Sequence, residues 1–183
     1  MKAVSVRDLR HAAHVVRGGG VIAYPTESCF GLGCHPGARG AVRRLLRIKR
    51  RPRRKGLILI GDRLETVARY GEVPPRAAQS WPGPVTWLVT PTRHAHRGLR
   101  GSHERIALRV PAHPKAAALS RMVRDAIVST SANHAGERPA RSAREAYRRF
   151  GGALQGVVRG RIGGRRVPST VIDALTGRVV RHG

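Results

Sequence analysis

The chain of 183 residues carries 36 lysine and arginine residues against 10 aspartate and glutamate residues, a formal net charge of +26. This length is enough for one domain with a substantial hydrophobic core, so we expect residues 1–183 to form a single domain. No apolar run is long enough to span a membrane and the first residues lack a signal-peptide core, which together predict a cytoplasmic protein. The charge predicts affinity for polyanions such as nucleotides and RNA, but it specifies no chemistry.

The first predicted elements lead into a loop that is rich in hydroxyl groups. Residues 5–8 have the pattern of a capping box that opens a helix, and a glycine triplet ends this helix. An apolar strand over residues 21–24 follows, and it should end near Tyr24 because Pro25 cannot donate to a sheet ladder. Thr26 and Ser28 then fall in a loop, where their hydroxyl groups are free to bind a ligand.

Helices and strands alternate through the rest of the chain. The patterns predict helices from residue 40 to Pro52 and over residues 64–70, 114–124 and 142–150, and strands over residues 57–60, 85–89, 106–110, 126–128, 171–173 and 179–180. The last two strands should form a hairpin. This alternation predicts an α/β fold, an open twisted sheet of mixed direction with flanking helices and with ligand loops at the strand ends.

Two groups of polar residues lie at the ends of predicted elements. Lys49, Arg51 and Lys55 provide two point charges and one planar guanidinium within seven residues, a set suited to a triphosphate, or alternatively a plain basic helix end favoured by the helix dipole. Ser131 and Asn133 follow a predicted strand, where a hydroxyl and an amide can hold a phosphate or a carbamate. The alternative is a turn that closes the strand.

Other kinds of site are excluded by the sequence. No Gly-Lys dipeptide occurs, so a Walker A loop is absent, and Gly31-Leu32-Gly33 lacks the third glycine of a dinucleotide fingerprint. The two cysteines, Cys29 and Cys34, are too few for a structural zinc site and are expected to be reduced. The nine histidines form no compact ligand motif, so no tightly bound protein-ligated metal is expected.

Three motifs together resemble the YrdC family, and they occur in the order of that family. They are Tyr24-Pro25-Thr26-Glu27 leading into Gly31-Leu32-Gly33, Lys49-Arg50-Arg51-Pro52, and Ser129-Thr130-Ser131-Ala132-Asn133. The resemblance extends over nearly the whole chain and implies a YrdC-like sheet with a basic concave groove. It also implies an enzyme, in the short form of the family, that makes threonylcarbamoyl-adenylate and pyrophosphate from L-threonine, bicarbonate or CO2, and ATP with Mg²⁺. A separate transferase complex would use this product to form N6-threonylcarbamoyladenosine (t6A) at position 37 of tRNA.

The resemblance also implies roles for individual residues. Lys49 and Arg51 would be catalytic and would bind ATP together with Lys55, Ser131, Asn133 and Arg181, and the threonine-binding residues would be Thr26, Ser28, Arg109, Ser129 and Ser169. Three departures from the family pattern are Ser28 in place of a frequent threonine, Phe30 in place of a frequent tyrosine, and His134-Ala135 in place of a frequent Ser-Gly pair. Arg109 has the alternative role of an internal ion pair.

Two other functions remain compatible with the residues. A non-catalytic RNA-binding or ribosome-maturation factor would account for the charge, although aromatic residues make up only 4% of the chain, few for a base-stacking platform. A carbamoyl-transfer module of hydrogenase maturation proteins has the same fold, but those proteins combine it with zinc-finger and acylphosphatase modules that are missing here.

Overall fold

The computed structural model describes residues 4–6 and 8–183. In this part of the chain the strands are β1 (Val4–Val6), β2 (Ile22–Pro25), β3 (Phe30–Cys34), β4 (Ile58–Ile60), β5 (Val85–Val89), β6 (Ile106–Arg109), β7 (Ile127–Ser131), β8 (Gly156–Val158), β9 (Thr170–Asp173) and β10 (Val179–Arg181). The helices are α1 (Leu9–Arg17), α2 (Arg39–Ile48), α3 (Leu64–Ala68), α4 (Pro75–Ala78), α5 (Arg97–Arg100), α6 (Pro114–Val123) and α7 (Ala143–Phe150).

All of these strands belong to one sheet of mixed direction, in the order β1-β8-β2-β3-β7-β4-β6-β5-β9-β10. The pairs β1–β8, β2–β8, β4–β6 and β5–β9 are parallel, whereas the pairs on both sides of β3, β4–β7, β5–β6 and β9–β10 are antiparallel. The prediction of an open mixed α/β sheet is therefore confirmed. Among the described residues, no helix is long and apolar enough to cross a membrane.

Helices cover the sheet from two sides, and the alternation of side chains along the strands explains why. In β2, Ile22 and Tyr24 contribute to one hydrophobic cluster, while Ala23 contributes to another. Helices α1 and α6 pack together over the first cluster, and α2 and α7 contribute to the second. Helices α1 and α2 carry small or aliphatic residues on their inner sides and arginines on their outer sides, as helical spacing predicts.

Several boundaries differ from the sequence prediction. The segment that was expected to be a glycine-containing loop is strand β3, because pairing with β2 and β7 on its two sides compensates for the low strand preference of glycine. Strand β7 continues through Ser131, so Ser131 lies in the strand and not after it. Ser5 belongs to β1, and the N-cap of α1 is Asp8, whose carboxylate accepts from Arg10 N at 2.9 Å.

Other elements agree with their prediction. Ser142 caps α7 by accepting from Glu145 N at 3.1 Å, and Glu145 Oε2 accepts from the backbone N–H of Arg141, the residue before the N-cap. The predicted closing hairpin is present as β9 and β10. Neither β1 nor β8 was predicted: residues 5–8 were assigned to a helix cap, and no strand was assigned between the end of α7 and residue 171.

Candidate functional site

A small pocket of about 160 Å³ lies against β3, β4, β6 and β7. Eight of the eleven predicted site residues line it: Thr26, Ser28, Arg51, Arg109, Ser129, Ser131, Ser169 and Arg181. These residues come from distant parts of the chain, so the sheet topology alone brings them together. We call this cavity the central pocket.

The turn between β2 and β3 forms one wall of the central pocket. The backbone N–H of Thr26 and its Oγ1 both donate to the carbonyl oxygen of Cys29, at 3.0 and 2.8 Å. These two bonds close the turn and hold the Thr26 side chain in a fixed rotamer. The turn also binds the glycine-rich segment beyond β8, because Gly163 N donates to Thr26 O at 3.0 Å and Arg165 N donates to Glu27 O at 3.2 Å.

A buried ion pair forms a second wall. Arg109 Nη2, at the end of β6, donates to Glu27 Oε2 at 3.0 Å, and Glu27 Oε1 accepts from Ala112 N at 2.9 Å. Both side chains are about 90% buried. Arg109 Nε is also buried and has no hydrogen-bond partner in the described part of the chain. The ion pair considered for Arg109 is therefore present, and the guanidinium keeps a free donor beside the pocket.

Two further guanidinium groups border the pocket. Arg51 Nη2 donates to Gly56 O at 2.7 Å, and its buried Nε has no partner among the described residues. Arg181 Nη2 donates to Ser169 O at 2.7 Å and to Ser169 Oγ at 3.3 Å. Burial, followed by the charge of Arg181, lowers the pKa of Arg51, and burial, followed by the charge of Arg109, lowers the pKa of Arg181.

Three like charges that repel each other are unfavourable in the absence of an anion. Only one carboxylate, that of Glu27, is in contact with this group of arginines among the described residues. The unpaired buried guanidinium donors also lose hydration without gaining a protein partner. A bound anion would both reduce the repulsion between the arginines and accept these hydrogen bonds. The central pocket thus has the electrostatics of a site for a carboxylate or a phosphate.

Lys49 was predicted to be catalytic and to bind ATP, and it does not line the central pocket. It is 3% exposed, and its Nζ donates to Ser131 O and, at 2.8 Å, to Asn133 O. Burial and then the charge of Arg51 lower the pKa of Lys49 to about 8. Lys49 therefore fixes the backbone of the segment from Ser131 to Asn133 through its carbonyl groups, while Ser131 itself lines the pocket.

The end of α2 explains why Lys49 and Arg51 point apart. Arg50 adopts a left-handed conformation with φ 51°, and Arg51 N donates to Leu46 O at 2.9 Å, the bond of a helix end that reverses the chain. Arg50 itself is exposed. The turn buries the residue before Arg50 and returns the residue after it to the pocket.

Asn133 and Lys55 also lie outside the lining of the central pocket. The Asn133 amide donates to His134 O at 2.7 Å and to Glu137 O at 3.0 Å, so its side chain shapes the loop after β7. Lys55 is exposed and borders a wider adjoining groove of about 730 Å³, which shares Arg51 and Arg181 with the central pocket. The two cavities together form a basic concave surface.

The structure assigns structural roles to several other polar residues of the sequence. The Ser142 hydroxyl is engaged in its helix cap, and His134 packs against Phe150 with ring centroids 5.0 Å apart. Cys29 and Cys34 are free thiols, and burial raises the pKa of both. No group of three or more metal-binding side chains occurs within residues 8–183.

Three residues of the site were not predicted to have a role in it. Glu27 pairs with Arg109, Tyr24 donates to Ser129 Oγ at 2.7 Å, and Thr86 forms a hydrogen bond of 2.8 Å with Ser169. Glu27 was recognisable as one of few acidic residues, inside a motif. Thr86 and Tyr24 are buried partners of pocket residues, which only the folded chain reveals.

An open mixed sheet that carries a pocket of hydroxyl and guanidinium groups defines an α/β protein with a site suited to a small anionic molecule. The sequence profile of the Sua5/YciO/YrdC family, described as "Telomere recombination", matches residues 14–183. The chain belongs to this family. It is 51% identical over 177 residues to threonylcarbamoyl-AMP synthase of Methylobacillus flagellatus, covering 94% of this chain and 98% of the relative. The enzyme of the same name from Thiobacillus denitrificans is 50% identical over 171 residues, with 91% and 90% covered.

Solved structures of relatives have the same fold. P. abyssi Sua5 complexed with L-threonine matches with a TM-score of 0.90 at 29% identity, over 99% of this chain and 57% of that chain. E. coli YciO matches with a TM-score of 0.85 at 29% identity, over 100% and 92%. HypF in a phosphate- and nucleotide-bound form, at 20% identity and a TM-score of 0.82, shares the fold over 96% of this chain and 29% of that chain. These relatives favour an enzyme over a non-catalytic RNA-binding factor.

Proposed function

We propose that this chain is a threonylcarbamoyl-AMP synthase, a transferase that forms threonylcarbamoyl-adenylate and pyrophosphate from L-threonine, bicarbonate or CO2, and ATP. The observation that carries this function is the group of three guanidiniums, Arg51, Arg109 and Arg181, around a pocket lined with hydroxyl groups. Relatives that bear this enzyme name are 44–51% identical to the chain. The threonine carbamate and ATP are both anionic, so cations must screen them before they can react.

Threonine would bind in the central pocket. The volume of this pocket, about 160 Å³, suits an amino acid better than a nucleotide. Arg109 has a free Nε donor for the carboxylate, and Thr26, Ser28, Ser129 and Ser169 supply hydroxyl groups for the carboxylate and the rest of the molecule. The buried pair with Glu27 would hold Arg109 in place for this contact.

ATP would occupy the adjoining groove, whose volume of about 730 Å³ is in the range of pockets for larger ligands. Arg51 and Arg181 lie between the two cavities, where the α-phosphate must meet the carbamate, and Lys55 lies further along the groove. Lys49 would act through Ser131 and Asn133, since its ammonium group fixes the backbone of that segment. Mg²⁺ would arrive with the triphosphate and not with the protein.

The chemistry in this arrangement needs positioning and charge more than a protein nucleophile. The threonine amine captures CO2 and loses a proton to give a carbamate, whose oxygen attacks the α-phosphorus while the bond to pyrophosphate breaks. Arg51 would stabilise the charge that develops on the leaving pyrophosphate. We further propose that the product passes to a separate transferase complex that modifies position 37 of tRNA in the cytoplasm, and that the net charge of +26 favours contact with RNA.

The direct test is pyrophosphate release from ATP by the purified protein in bicarbonate buffer, with and without L-threonine. L-Serine and L-alanine are the matched controls, because they remove the methyl and the hydroxyl of the substrate side chain in turn. We expect release that depends on threonine and is weaker with both controls. A folded protein that binds RNA but releases no pyrophosphate with any amino acid would contradict the proposal.

A further inference from the structure

Tyr24 forms an unusual contact for a strand residue, because it reaches past a neighbouring strand. It lies in β2 and is fully buried, and its hydroxyl donates to Ser129 Oγ at 2.7 Å. Ser129 belongs to β7, and β3 lies between β2 and β7 in the sheet. The side chain of Tyr24 must therefore cross over β3 to make this bond.

Two glycines of β3 make the crossing possible. Gly31 lies opposite Tyr24 in the β2–β3 register, and Gly33 lies opposite Ser129 in the β3–β7 register. A Cβ atom on Gly33 would be 2.7 Å from Tyr24 Cε1, which no real contact allows. The Gly31-Leu32-Gly33 motif therefore has a physical purpose, since it leaves one face of β3 bare for the tyrosine ring.

The direction of the bond follows from burial. A buried phenol must donate its proton, and Ser129 Oγ is its acceptor in the described part of the chain. Burial raises the pKa of Tyr24, so the phenol keeps this proton over the physiological pH range. Ser129 Oγ thus accepts a hydrogen bond from Tyr24, and the hydroxyl proton of Ser129 remains available for a ligand in the central pocket.

Thr26 has the opposite hydrogen-bonding role, that of an acceptor towards a ligand. Its hydroxyl proton is donated to Cys29 O at 2.8 Å, so only lone pairs remain for a ligand. Thr26 and Ser129 are close neighbours across the bare backbone of β3, since a Cβ on Gly31 would lie 3.4 Å from Thr26 Cγ2 and 3.5 Å from Ser129 Oγ. The pocket therefore presents a hydrogen-bond acceptor beside a hydrogen-bond donor.

We propose that Tyr24 is a positioning residue for the amino-acid substrate, which fixes Ser129 as a hydrogen-bond donor to an anionic oxygen of threonine while Thr26 accepts from its nitrogen. This role rests on the proposed function. An amino acid offers an ammonium or carbamate N–H close to a carboxylate oxygen, and the paired polarity of Thr26 and Ser129 matches that order. Tyr24 touches no substrate and acts only through Ser129.

The test is a double-mutant cycle of Tyr24→Phe and Ser129→Ala, read out as the Kd of L-threonine by calorimetry and as the KM values of threonine and ATP. Tyr24→Phe removes one oxygen and keeps the ring. We expect it to raise the Kd and KM of threonine about three- to tenfold, the usual range for one hydrogen bond, and to leave the KM of ATP within about twofold. Ser129→Ala should raise the threonine values at least about tenfold, because it deletes a bond to a charged group.

In the Ser129→Ala background, Tyr24→Phe should change the Kd of threonine less than about twofold, because the two residues act as one unit. Tyr70→Phe is the matched control: it also deletes a buried phenol that donates to a side chain, here Asp125 Oδ1 at 3.0 Å, but it lies outside the pocket lining. It should lower the melting temperature and leave the Kd of threonine unchanged.

Three results would overturn the proposal. Tyr24→Phe could lower the melting temperature like Tyr70→Phe with no change in the Kd of threonine, which would make the bond merely structural. Tyr24→Phe could change the Kd of threonine equally strongly in the Ser129→Ala background. Finally, Ser129→Ala could bind threonine normally, and this third result overturns the proposal even if Tyr24→Phe is recovered unfolded. Calorimetry separates these outcomes from failure of the proposed function, because wild-type protein that binds threonine without releasing pyrophosphate contradicts only the latter.

Discussion

The buried ion pair between Glu27 and Arg109 gives the sharpest stability prediction. Glu27→Gln keeps the shape of the side chain and removes its charge, which leaves Arg109 buried without a counterion and close to Arg181. Breaking one side of a buried pair costs about 3–5 kcal/mol. For a chain of this size each kcal/mol lowers the melting temperature by about 2–4 °C, so we expect a decrease of about 6–20 °C.

The assay is thermal unfolding followed by circular dichroism, with and without pyrophosphate as an anionic ligand. Glu65→Gln is the control, because Glu65 pairs with Arg63 at 3.4 Å on the exposed surface, where such pairs contribute at most about 1 kcal/mol. Added pyrophosphate should recover part of the loss in Glu27→Gln by supplying negative charge. Equal melting temperatures for the two variants would refute the reasoning.

The remaining predictions concern a titrating lysine, a buried aspartate and a helix end. Since the pKa of Lys49 is lowered to about 8, kcat/KM for ATP should fall as the pH rises through 8. The unfolded chain holds this proton up to pH 10.5, so the contribution of Lys49 to the free energy of unfolding should increase between pH 8 and 10.5, and Lys49→Arg should remove both effects in pH-dependent kinetics and melts. Burial raises the pKa of Asp125, but the hydrogen bonds that it accepts, led by the one from His35, outweigh burial and hold this pKa below its usual value. The ionised Asp125 therefore contributes to the free energy of unfolding, and this contribution is lost as the pH falls through the lowered pKa. Asp125→Asn should cost about 1–3 kcal/mol in urea unfolding at pH 7. Arg124 ends α6 with φ 63°, and Arg124→Gly should stabilise the protein by about 1 kcal/mol in the same measurement, with no gain contradicting the strain.

The parts of the fold with strong periodicity could be predicted, and strand β3 could not. Gly31 and Gly33 lower the intrinsic strand preference, and the motif has the composition of a ligand loop. Its strand conformation depends on pairing with β2 and with β7, which lies almost 100 residues later in the chain. Local sequence contains no information on that pairing.

In the candidate site, too, motifs predict which residues take part, whereas the fold decides where their side chains lie. Arg51, Ser131 and Ser169 were predicted from motifs and line the central pocket. Lys49 belongs to the same motif as Arg51, but the left-handed turn at Arg50 separates the two side chains. Which residue of a basic cluster faces the ligand depends on how the helix ends, and a single arginine in a left-handed conformation cannot be identified from sequence alone.

The adjacent arginines therefore provide the most direct test of the account, which holds that Arg51 faces the substrates and Arg50 does not. Threonine-dependent pyrophosphate release should be measured for the wild type, Arg51→Ala and Arg50→Ala, two variants that remove the same charge one residue apart. We expect kcat/KM to fall at least about tenfold in Arg51→Ala, equivalent to about 1.4 kcal/mol, and to stay within about twofold in Arg50→Ala. Equal losses in both variants, or no loss in either, would contradict the account.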